Sequence, residues 1–141
     1  SMSIVRIVLV VVFALAGGRS AFADDPKGFT CTFATGTAFT HGKGRFKPAK
    51  ASPIKLEIAA IDHAKQSAEL VSGERRTALR VIRAVNAVHF LEAVSEGYLN
   101  LTTIYDRETE KAVAYPAVHS RHFGVLGQAV VSQYRGSCVA K

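Results

Sequence analysis

The feature that most constrains this chain is a repeated pattern of short alternating runs. From Ile54 to Tyr134 a polar or glycine-containing break falls about every ten residues, the spacing expected of short strands joined by tight turns. Ile54, Leu56 and Ile58 alternate with Lys55 and Glu57, which is the period-two pattern of a strand with one buried face. Residues 62–66 end that run. Runs at 67–71 and 77–84 flank Ser72-Gly73-Glu74, where Gly73 can adopt the positive φ that a hairpin turn requires. Runs at 87–94 and 98–105 flank Ser95-Glu96-Gly97 in the same way, and after a charged turn at 106–110 two more strands are expected at 112–119 and 125–134. A first strand is expected at 29–34, whereas residues 36–52, rich in Gly, Lys and Pro, are expected to form a flexible loop. The best helical alternative, 74–90, would gather Arg75, Arg76, Arg80 and Arg83, but its valines and its lack of an N-cap favour strand. The expected fold is all-β: an antiparallel meander, closed as a small β-barrel or folded as a two-sheet sandwich, in one domain over residues 24–141.

The N-terminus has a different composition. Arg6 precedes an apolar run at 7–16, and Ala21-Phe22-Ala23 is followed by Asp24 and Asp25, the arrangement of a cleavable secretory signal over residues 1–23. The run is shorter than the roughly 20 apolar residues that span a bilayer. Ser1, ahead of Met2, is set aside from the fold argument. The expected location is periplasmic or secreted. In an oxidising compartment Cys31 and Cys138 should pair, closing a loop worth about 4 to 5 kcal/mol in the chain-entropy account. Removing Arg6 and Arg19 with the signal lowers the net charge from +7 to +5, which still favours anionic partners through long-range attraction.

Two groups of residues stand out as candidate binding sites. His119, Arg121 and His122 form the densest polar cluster, in which an arginine fork could hold a phosphate or carboxylate between imidazoles, or satisfy carbonyls inside a barrel. An H-x-x-H spacing on a strand points its imidazoles to opposite faces, and no third ligand lies at a recognisable spacing, so no metal is expected. Lys43, Arg45, Lys47 and Lys50 surround Phe46 in the glycine-containing stretch, a composition suited to an anionic membrane surface or polyanion. That stretch lacks the phosphate-loop pattern G-x-x-x-x-G-K-[ST], which argues against nucleotide. No catalytic motif is present: there is no G-x-S-x-G, H-E-x-x-H or carboxylate pair, and a set such as Ser120, His89 and Asp62 can be nominated in almost any chain. No catalytic residue and no cofactor is expected.

Phe29-Thr30-Cys31, Leu101-Thr102-Thr103-Ile104, His119-Ser120-Arg121-His122 and the ending Ser132-Gln133-Tyr134-Arg135-Gly136-Ser137-Cys138 resemble a group of small exported alphaproteobacterial proteins of uncharacterised function. At a greater distance, a secreted antiparallel barrel with an early cysteine is similar to the periplasmic inhibitors of c-type lysozyme. Their inhibitory loop motif is missing here, and a cationic domain would be repelled by a cationic enzyme. The expected function is therefore a non-catalytic exported binding domain for an anionic lipid, lipopolysaccharide or glycan, or for an envelope protein; nucleic acid is disfavoured. The alternatives are an inhibitor or accessory protein of an envelope enzyme, and a small hydrolase.

Overall fold

Alternation along the chain becomes a closed antiparallel sheet. The computed structural model describes residues 25–94, 97–125 and 127–141; the signal segment, 1–23, lies outside them. Nine strands follow in order: β1 (Phe29–Gly42), β2 (Arg45–Ala49), β3 (Ile54–Asp62), β4 (Ser67–Ser72), β5 (Arg75–Arg83), β6 (Ala87–Val94), β7 (Tyr98–Tyr105), β8 (Ala114–Val125) and β9 (Gln128–Ala140). Each strand from β3 to β9 pairs with the next, and β1 pairs with both β3 and β9. Eight strands thus close a barrel, and β2 lies outside the ring against the far half of β1. Among the described residues there is no helix, so the strand reading of 74–90 holds, and of the two architectures anticipated the barrel is the one formed.

Closure depends on the β1–β9 seam. Cys31 and Cys138 are direct cross-strand partners there, 3.9 Å apart between Cα atoms, and are joined as a disulfide. Beside them the register shifts between Thr32 and Thr35, a bulge that bends β1 around the barrel. At that bend Gly136 of β9 lies against β1 so closely that a Cβ would sit 2.0 Å from the Thr32 carbonyl oxygen and 2.9 Å from the Phe33 Cα. Phe29, Cys31 and Phe33 face inward before the bend and Ala38 after it, so the bulge switches which set of β1 side chains faces the interior; Phe33, Phe90, Ile58, Ile104 and Val81 fill the core around the disulfide. Charges alternate outward on the same strands, with Lys55, Glu57, Glu69, Arg76 and Arg80 set between inward-facing Leu56, Ile58, Ala68, Leu70 and Leu79. This is the reverse of the apolar-out, polar-in alternation of a membrane-spanning barrel.

The flexible loop expected at 36–52 is a correction. β1 runs on to Gly42, and a two-residue turn with positive φ at Lys43 (53°) and Gly44 (79°) leads into β2. Paired positive-φ residues match the right-handed twist of the flanking strands, so Lys-Gly works here as a hairpin turn. The last two strands also run longer than alternation suggested, β8 to Val125 and β9 from Gln128 to Ala140. The Ser72-Gly73-Glu74 turn forms as expected, with φ 61° at Gly73.

Because hairpins alternate ends, the β1–β2, β4–β5, β6–β7 and β8–β9 connections open at one end of the barrel. Residue 25, the β3–β4, β5–β6 and β7–β8 connections and Lys141 lie at the other. The seam packing predicts that Gly136→Ala lowers unfolding stability by about 2 to 3 kcal/mol, as a clash with backbone rather than with a yielding side chain. Gly42→Ala, which meets nothing within 4 Å, should change it by less than about 0.5 kcal/mol. Urea denaturation of the two variants checks the pair, and equal stabilities would show that the seam can relax.

Candidate functional site

The residues singled out in the sequence fall into three places. On β8 side chains alternate, so His119 and Arg121 point into the barrel while His122 points out. His119 is 3% exposed, whereas His122 is exposed beside Phe39, Val131 and Gln133 on the outer surface. The three therefore form no common pocket, and only His119 and Arg121 meet.

Inside, these two belong to a polar layer that the sequence did not reveal. Arg121 Nε donates to His119 Nε2 at 3.2 Å, and His119 Nδ1 lies 2.8 Å from Thr102 Oγ1. A guanidinium can only donate, so Nε2 is the unprotonated nitrogen and Nδ1–H donates to Thr102. In the adjoining row Asn100 Nδ2 donates to the Glu92 carboxylate at 3.1 Å, and Glu92, Asn100 and Arg121 are direct neighbours across β6, β7 and β8. All of these but Arg121 are buried. The His119 ring also lies 5.6 Å from Phe33 and 6.3 Å from Tyr134, centroid to centroid. With both nitrogens engaged and no room for a ligand, His119 fills the structural role that the sequence allowed for Arg121.

The missed partners, Glu92 and Asn100, sit on separate strands. A sequence signal existed: Glu92 occupies an inward position in the alternation of β6, between Phe90 and the turn, where a charge demands a partner.

Burial holds the His119 imidazole down to about 4, with the Arg121 charge adding to the effect. The unfolded chain therefore binds a proton between pH 6.5 and 4 that the folded chain does not, and stability falls as pH drops through that window. Between pH 7.5 and 5 the loss amounts to about 2 kcal/mol. A His119→Gln variant should lose this part of the slope; urea midpoints at the two pH values measure it, and an unchanged slope would mean that His119 is not the group responsible.

The second group is brought together on the β1–β2 hairpin. Arg45 and Lys47 pair with Gly42 and Thr40 and share the face of buried Ala38, which turns toward the barrel interior. Phe46 and Pro48 pair with His41 and Phe39 on the opposite, outward face. Phe46 is 55% exposed, and its ring meets His41 edge-on at 4.9 Å. Lys43 stands in the turn and Lys50 just past β2, both exposed. Residues 26–56 contain six cations and no acid. The exposed Arg75 of the β4–β5 hairpin opens at the same end, while Arg76 is engaged by Glu69.

The nominated triad does not assemble. His89 Nδ1 bonds Thr103 Oγ1 at 2.8 Å in a part-buried contact between β6 and β7, Ser120 accepts from Gln133 at 3.4 Å, and Asp62 accepts the Lys65 backbone N–H at 2.9 Å at the end of β3. Among the described residues no cluster of three His, Cys, Asp or Glu is placed to hold a metal ion. No family model, curated protein or solved structure matches this chain. Its own geometry is thus the basis for a functional reading.

Proposed function

We propose that this protein is an exported, non-catalytic binding domain that docks on an anionic lipid surface of the cell envelope through its β1–β2 hairpin. The observation that carries this reading is the hairpin itself, a paired ribbon at one end of the barrel with cations on one face and at the tip and with Phe46, Pro48 and Phe39 on the other. An amphipathic element of this kind can seat its apolar face at the headgroup boundary while its lysines and arginine reach the phosphates. Pairing in the hairpin fixes Arg45 and Lys47 beside the Lys43 turn, with Lys50 following directly on β2, so the ribbon meets the surface with little ordering left to do. Export is supported by the tripartite N-terminal pattern and by the Cys31–Cys138 disulfide, which persists in oxidising compartments.

Each cation near such a surface contributes about 1 kcal/mol, so four suffice for measurable adsorption. Co-sedimentation with phosphatidylglycerol-containing vesicles should therefore retain the protein at low salt and release it as the Debye length contracts from about 10 Å at 0.1 M to about 3 Å at 1 M. The variant with Lys43, Arg45, Lys47 and Lys50 changed to Gln should stay in the supernatant, and Phe46→Ala should weaken binding without altering its salt dependence. Equal partitioning to phosphatidylcholine vesicles, or full binding by the four-Gln variant, would overturn the reading.

A further inference from the structure

The end of the barrel opposite the hairpin holds a cleft of about 250 Å³ whose chemistry is different. Its floor is apolar and comes from four strands: Phe29 of β1, Ile61 of β3, Val88 of β6 and Ile104 of β7, each no more than 6% exposed. Tyr115 and the half-open Tyr105 line the sides, and the Phe29 and Tyr115 rings pack edge-on at 5.2 Å. The mouth is held in shape by contacts between remote parts of the chain. Asp25 accepts from Arg83 at 2.8 Å and lies 3.5 Å from His63, and Arg107 donates to the Ala112 carbonyl at 3.2 Å with its guanidinium 5.3 Å above the Tyr115 ring. Barrel mouths with an apolar floor and a few fixed polar groups are favoured ligand sites.

Size and charge narrow the ligand. A dry cavity of about 150 Å³ accepts benzene, so this cleft has room for one ring with a short substituent. Its lining carries Asp25, Asp106 and Glu110 against Arg83 and Arg107, one more acid than base. Desolvation keeps the His63 imidazole below its usual range despite the opposing pull of Asp25, which leaves it neutral at pH 7. Both arginines are engaged with the wall, Arg83 on Asp25 and Arg107 on Ala112 and Tyr115. Asp106 and Glu110 are exposed at the mouth and form no ion pair among the described residues. We propose that this cleft binds a small aromatic amine, with the ring seated on Phe29, Ile104 and Tyr115 and the ammonium held at the mouth by Asp106 and Glu110. The site is independent of the hairpin and selects the opposite charge.

Titration of the ¹⁵N-labelled protein with 2-phenylethylamine, and separately with 3-phenylpropanoate, tests this by amide shifts. The amine should move the Ile61, Ile104, Tyr105 and Asp106 amides saturably at roughly millimolar concentration, as befits so few ligand atoms. The propanoate should bind at least about fivefold more weakly, the effect of one exposed charge pair. The Asp106→Asn, Glu110→Gln double variant should erase that preference while keeping ring binding. Absence of saturable shifts at the cleft, equal binding of the two probes to the wild type, or a preference that survives in the double variant would each overturn the proposal. The wild-type comparison decides the matter even if the variant folds poorly.

Discussion

Everything in this molecule depends on the seam where β1 meets β9. The first and last strands of a meander have no covalent reason to meet, and each would otherwise present an unpaired edge open to association with other chains. Here ten cross-strand partners, a disulfide and the close approach of Gly136 to the β1 bulge join them. The same bulge turns Ala38 inward where unbroken alternation would turn Phe39, and it carries the rest of β1 beyond β3 while keeping it paired with β9. Without the bend β1 would have no free half for β2 to pair with, and the cations would sit on an unstructured loop. The edge strand that remains among the described residues, β2, carries Lys47 and Pro48, residues that discourage strand addition.

Closure also separates two chemistries at opposite ends. The β1–β2 hairpin carries Lys43, Arg45 and Lys47 toward one end, with Lys50 just past the far end of β2, and that stretch of chain holds no acid. At the other end acids and bases alternate around a cleft whose floor is the bottom of the core. Between them lies the layer of Glu92, Asn100, Thr102, His119 and Arg121, stacked on the buried apolar residues. These side chains fill the interior between the two ends, as in other small barrels. Buried polar groups are costly unless paired, and their pairing across β6, β7 and β8 sets the register of those strands: a slip of one residue would turn Glu92 and His119 out and strand their partners. The Asn100 side-chain oxygen is the atom left without a partner among the described residues.

Much of this architecture could be read from the chain. Alternation in β3, the glycine turn after β4 and the even spacing of the breaks reported strands because period two and positive φ are local properties. The opposed faces of His119 and His122 followed from the same geometry, and two cysteines behind an N-terminal pattern of the secretory type could be expected to pair. What local pattern could not carry was partnership. That residues 36–52 form a hairpin depended on β9 and the β1 bulge supporting the far half of β1, against a composition that by itself suits a loop. That Glu92 needs Asn100, that Arg121 donates to His119, and that Asp25 meets His63 and Arg83 at the mouth of a cleft are matters of which strands become neighbours when the barrel closes. Strands, turns and the excess of positive charge were legible in the chain, since they rest on composition and on residues near one another along it. Which charges share an end, which polar groups are buried together and where a cavity remains emerged with barrel closure, because those depend on contacts between residues dozens of positions apart.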